Sequence, residues 1–92
     1  MESSFSPSSH LTFKTVEENK PRLLQFLQKM AQPSYILDLS AVEEFDSAGL
    51  AFLIEAKKLS LNHKMQCYYE GLSDNIAAFV RFFGVEELLD VK

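Results

Sequence analysis

The chain has 92 residues, 47% apolar and 24% charged, which suits one small globular domain and not a disordered segment. Its net charge of −4 leaves the nine Lys and Arg outnumbered by acids, which argues against nucleic acid or an anionic lipid surface as a partner. A lone cysteine, Cys67, excludes an intrachain disulfide, and His10 and His63 stand too far apart to give a zinc-site spacing with it.

The first nine residues, MESSFSPSS, have neither the basic nor the apolar stretch of a secretory signal, and they read as a frayed tail or a weak edge strand before a domain spanning 10–92. The longest apolar run, Ala48 to Ile54, is far short of the roughly 20 residues that span a bilayer. A free thiol without a signal peptide points to a reducing, cytoplasmic location. His10 to Lys14 alternates as a short strand with Leu11 and Phe13 on one face.

Thr15 is placed to cap a helix whose first turn carries Glu17 and Glu18, near the positive end of its dipole. Pro21 means that this helix either restarts near Asn19 or kinks. Leu23, Leu24, Leu27 and Met30 form its apolar face, and Pro33 ends it. Tyr35 to Leu39 is apolar on both faces apart from Asp38, as a buried central strand is. Ser40 to Phe45 reads as a loop, Ser47 to Leu61 as a second helix, and Met65 to Glu70 as a strand ended by Gly71. Ser73 caps a third helix in which Ile76, Phe79, Val80 and Phe83 keep helical spacing, and Gly84 stops it. Val85, Leu88 and Leu89 pack down a final helical turn.

Strand and helix thus alternate, which predicts an α/β fold with a partly parallel sheet. The expected core is Leu23, Leu27, Ile36, Leu37, Leu39, Leu50, Leu53, Ile54, Cys67, Ile76, Val80 and Phe83.

The informative stretch is Asp38-Leu39-Ser40 followed by Phe45-Asp46-Ser47-Ala48-Gly49-Leu50. Asp46 is placed to cap the second helix, with Ser47 exposed beside free amide donors. Gly49 costs about 1 kcal/mol of helix propensity, which close approach of another backbone would justify. Leu50, Leu53, Ile54 and Leu61 supply the one stripe a sheet-bound helix needs, leaving Ala48, Ala51 and Phe52 over. Either Phe52 packs on a neighbouring helix of the same domain, or another chain covers it. By itself the pattern also fits an ordinary capped helix.

From YILDLS through FDSAGLAFLIEA to the Gly71-Leu72 turn, the chain resembles the STAS family of sulfate transporters and anti-sigma-factor antagonists, over roughly Leu11 to Leu89. The absence of a phosphate cradle or ligand spacing in the sequence leads to the expectation of no cofactor and no metal. The resemblance implies a four- to five-stranded mixed sheet flanked by helices and no catalysis. It implies a docking surface around the DSAGL loop, with Asp46, Ser47, Ala48, Gly49, Leu50, Ala51 and Phe52 as the partner-binding residues. In the anti-sigma-factor antagonists, a kinase partner phosphorylates the hydroxyl residue just before the motif glycine. That position is Ala48 here, leaving Ser47 as the regulatory hydroxyl of this reading. In the MlaB-type subunits of the phospholipid transporter that maintains outer-membrane asymmetry, the hydroxyl residue directly after the aspartate supports docking on the ATPase. Ser47 matches that position.

The expected function is therefore a cytoplasmic, non-enzymatic subunit held peripherally at the inner membrane by the ATPase of an ABC transporter. The other readings are a phosphorylation-controlled partner of an anti-sigma-factor kinase, and a small-molecule or nucleotide-binding module. The sequence has no glycine-rich phosphate loop, and Cys67 and His63 form no recognisable nucleophile–base pair.

Overall fold

The structure is a computed structural model that describes residues 3–89. In chain order the elements are β1 (Ser3–Phe5), β2 (His10–Leu11), α1 (Val16–Lys29), β3 (Ser34–Asp38), β4 (Glu44–Phe45), α2 (Ser47–Asn62), β5 (Gln66–Glu70), α3 (Asp74–Phe82) and α4 (Glu86–Leu89). β3 lies between β1 and β5 in one sheet, with Tyr35 beside Ser3 and Cys67, and Leu37 beside Phe5 and Tyr69. β2 and β4 form a separate two-stranded ladder.

The α/β class stands, but every ladder among the described residues is parallel where a mixed sheet was expected. The connections explain this. β1 reaches β3 through α1, and β3 reaches β5 through α2, so each crossover returns the chain in its starting direction.

One sheet face is dry. Phe5, Tyr35, Leu37 and Cys67 are buried on it, with Leu23, Leu27, Phe52, Leu53 and Ala56 supplied by α1 and α2. The opposite row, Ser4, Ile36 and Tyr68, stays exposed or half-buried. Ile36, expected in the core, therefore sits on the wet face of a two-layer structure.

Of the two readings of residues 1–9, the edge strand is the one that forms, and it buries Phe5, with Met1 and Glu2 outside the described residues. Other expectations are corrected. The strand expected over His10–Lys14 ends at Leu11, because the chain turns at Thr12. The Thr15 hydroxyl donates to the His10 carbonyl (2.7 Å) and accepts from the Thr12 amide (3.0 Å). Thr15 is the N-cap of α1, but its hydroxyl is spent on that turn and makes no cap bond. Pro21 lies within α1 without dividing it. The end of the expected 40–45 loop, Glu44–Phe45, forms β4. Phe83, expected in the core, is 50% exposed because α3 has ended by then; only Ile76 and Val80 of its stripe are buried. Ile54 is half-buried.

Leu61 is 57% exposed, and Ser60 takes its place in the buried stripe of α2. The Ser60 hydroxyl bonds the Ala56 carbonyl (2.6 Å) and the Tyr35 hydroxyl (2.7 Å), so no buried polar atom there is left unpaired. The Tyr69 hydroxyl donates to the Leu53 carbonyl (2.6 Å). The Lys57 ammonium donates to the Cys67 carbonyl (3.3 Å) and lies 5.6 Å from the Tyr69 ring centre.

Burial pushes the Cys67 thiol above its ordinary 9.0, and the Tyr35 and Tyr69 phenols above their ordinary 10.0. Above those values the unfolded chain gives up protons that the folded chain keeps, so stability falls as pH rises, by about 1.4 kcal/mol per pH unit per proton. In urea titrations the midpoint should be flat with respect to these groups below about pH 8. It should drop above about pH 9 and steepen above about pH 10. Cys67→Ala should remove the first part of that drop; an unchanged alkaline profile would show that the thiol is not held neutral by burial.

Candidate functional site

The site expected from the sequence is the start of α2, and the chain builds it from three neighbouring pieces. Asp46, extended at φ −137°, caps the helix through Oδ1, which accepts from the amides of Ala48 (2.9 Å) and Gly49 (3.1 Å). Its Oδ2 accepts from the Phe13 amide (3.1 Å). One carboxylate thus fixes the helix start and ties it to the Thr12–Thr15 turn.

Gly49 is buried, and its missing side chain is what lets α2 lie against β2. A Cβ there would run into the Leu11 carbonyl oxygen and stand 2.9 Å from two ring carbons of Phe45. The close backbone approach expected at Gly49 is therefore made within this chain. The Asp38-Leu39-Ser40 segment is structural in the same way. The Ser40 amide donates to Asp38 Oδ1 (3.0 Å), and bonds from Ser40 hold that carboxyl below its ordinary value. Gly71, at φ +75°, leaves no room for a Cβ beside Ser40.

Of the residues placed in the partner surface, Ser47 and Ala51 are exposed, and Asp46 and Ala48 are half-buried. Gly49, Leu50 and Phe52 are buried, so they support the surface from beneath and do not present side chains on it. Of the two alternatives for Phe52, packing within the domain is the one the fold makes, so its side chain is not offered to a partner. It is 2% exposed because α1 packs across α2, where Phe52 and Val16 line a groove of about 120 Å³. Ala48, Ala51, Lys20 and Glu55 line the rest.

The outward aromatic at this end is instead Phe13, 69% exposed in the turn that Asp46 holds, with the Lys14 ammonium 6.0 Å from its ring. Strand alternation had turned Phe13 inward. The signal that places it is the Thr12-to-Thr15 spacing of hydroxyls, which favours a turn.

A hydroxyl, two small side chains and an aromatic ring thus surround a helix start that Asp46 fixes. The sequence model of the family described as "Mlab, STAS domain" matches residues 8–90. The chain belongs to the STAS domain family. Among solved structures, this STAS domain is similar to a sulfate transporter family protein from Wolinella succinogenes. That likeness has a TM-score of 0.72 at 20% identity, covers 95% of this chain and 70% of the other, and supports the fold. Comparison with curated proteins gives no match. Among the described residues, no helix of the STAS domain is long and apolar enough to cross a membrane.

Proposed function

We propose that this STAS domain is a non-catalytic, cytoplasmic subunit that docks on the ATPase of a phospholipid-transporting ABC complex maintaining outer-membrane lipid asymmetry. The observation that carries the reading is the exposed Ser47 hydroxyl on a helix start locked by Asp46, in a chain matched by a family model described as "Mlab". Phe13 and Ala51 extend the docking surface, and Gly49, Leu50 and Phe52 keep it rigid from within.

The test is calorimetry of the domain with the purified ATPase subunit. Ser47→Ala should weaken binding by about three- to tenfold, the worth of one neutral hydrogen bond. Ser47→Arg should weaken it by far more, because it buries a charge at the interface. Circular dichroism should be unchanged in both, since Ser47 is exposed. Wild-type affinity in a folded Ser47→Arg protein would place the docking surface elsewhere. The exposure of Ser47 also favours a second reading, a partner switch set by an anti-sigma-factor kinase. Phosphate found on Ser47 by mass spectrometry after incubation with such a kinase would favour it over the first.

A further inference from the structure

Away from the docking site, the most exposed large apolar side chain among the described residues is Phe82, at 84%. It belongs to a groove of about 430 Å³ on the outward face of α3, lined by Asn75, Ala78, Phe79, Phe82 and Phe83. Phe83 stacks on Phe79 with ring centres 6.2 Å apart and meets Phe82 edge-on at 5.2 Å, while Phe79 is anchored on Phe45 at 5.3 Å. The aromatic ridge is therefore held in place before anything covers it. α4 does not cover it, since no α4 residue lines the groove and Leu89 is buried with α4 against α2.

We propose that this face is a self-association surface on which α3 of a second copy lies antiparallel. The charges on its flank select that occupant. Asp74 stands in the first turn of α3 and Arg81 in the last, two turns apart and so on the same flank. Neither is in an ion pair among the described residues. In an antiparallel pair, the same flanks of the two helices meet. Asp74 of each copy then faces Arg81 of the other, and the helix dipoles oppose. A parallel pair would turn the two Asp74–Arg81 flanks to opposite sides of the interface and leave both charges without a partner. Ala78 falls near the two-fold axis, where a small side chain lets the helices approach. Two chains of net charge −4 repel overall, but α3 carries one acid and one base on this flank, so the pairing adds attraction where the helices meet.

The experiment is sedimentation equilibrium of the full chain over protein concentrations from about 10 μM to 1 mM, the range expected of a small interface. The mass should climb towards that of two protomers. Phe82→Ser should raise the dissociation constant at least about tenfold with an unchanged circular dichroism spectrum. Asp74→Arg should also weaken the dimer, and adding Arg81→Asp should recover most of the loss. Because those reversals oppose the helix dipole, a second measurement is independent of them. Ala78→Cys should oxidise to an interchain disulfide, whereas a cysteine at exposed Lys58 should not; Cys67 is buried and does not compete. A monomer throughout would overturn the proposal. So would a dimer indifferent to Phe82→Ser, or equal cross-linking from positions 58 and 78.

Discussion

Gly49→Ala should lower the stability of the domain by about 2–3 kcal/mol, or roughly 10–20 °C in Tm for a domain of this size. Helix propensity alone predicts the opposite, since alanine in place of glycine within a helix is worth about 1 kcal/mol. Packing decides the sign. The added methyl would meet the Leu11 carbonyl oxygen and the Phe45 ring, and Leu11 is itself fully buried. A backbone carbonyl has no rotamer by which to move aside. Relief requires α2 to lift from β2, which opens contacts at Leu11 and Phe45 and pulls on the Asp46 bond to Phe13. Gly49→Val should do still more damage. Gly84→Ala is the control: its φ of +67° disfavours alanine by about 1 kcal/mol, but nothing lies within 4 Å to clash. A Gly49→Ala protein that melts at or above the wild-type temperature would remove the close-approach argument.

Asn19→Leu should cost about 2–3 kcal/mol although the side chains are close in size and the new one is apolar. Asn19 is fully buried and uses all of its bonding capacity. Its Oδ1 accepts from the Ser8 amide (3.1 Å) and from Arg22 (3.0 Å), and its Nδ2 donates to the Ser8 hydroxyl (3.0 Å) and the Thr15 carbonyl (3.0 Å). Some partners have other bonds: Arg22 also reaches the Ser6 carbonyl, and the Thr15 carbonyl accepts from the Glu18 amide. The half-buried Ser8 amide is the group left short, and an unpaired donor shielded from water carries a penalty of about 1–3 kcal/mol. The loss should appear in urea titrations and, by hydrogen exchange, in faster exchange of the Ser8 amide, because Asn19 clamps the segment that leads from β1 to β2. A variant within about 0.5 kcal/mol of wild type would show that Arg22 and Phe5 hold that segment without it.

Asn19 also shows where sequence reasoning stops. It stands in α1 among Glu17, Glu18 and Lys20, and nothing in its neighbours marks it as interior. The same holds for Ser60, whose hydroxyl is satisfied by Ala56 and Tyr35, the latter 25 residues away. Buried polar residues are explained by partners that the fold brings together, and a periodicity of apolar residues skips them. That is why Leu61 was placed in the stripe of α2 that Ser60 occupies. Local grammar was legible. Asp46 caps α2, Ser73 caps α3 through its bond from the Ile76 amide (3.2 Å), and Gly84 stops α3, because caps and stops depend on neighbours in sequence. The candidate site was half legible for the same reason. Its frame, Asp46 to Ala48, follows from capping. The exchange of roles between Phe13 and Phe52 depends on how α1 crosses α2, which one helix pattern does not encode.

The bond from Lys57 to the Cys67 carbonyl bears on how the molecule keeps apart from its neighbours. β5 is the outer strand of its sheet, and half of an outer strand's peptide groups face away from the strand beside it. Such a border is a template on which a foreign strand can zip, the first step towards fibrous aggregates. Here an ammonium lies across it, held over the Tyr69 ring, so an incoming strand must displace a hydrated charge before its first rung forms. The guard works only while it is charged. Acylation of this amine would neutralise it and leave the border open.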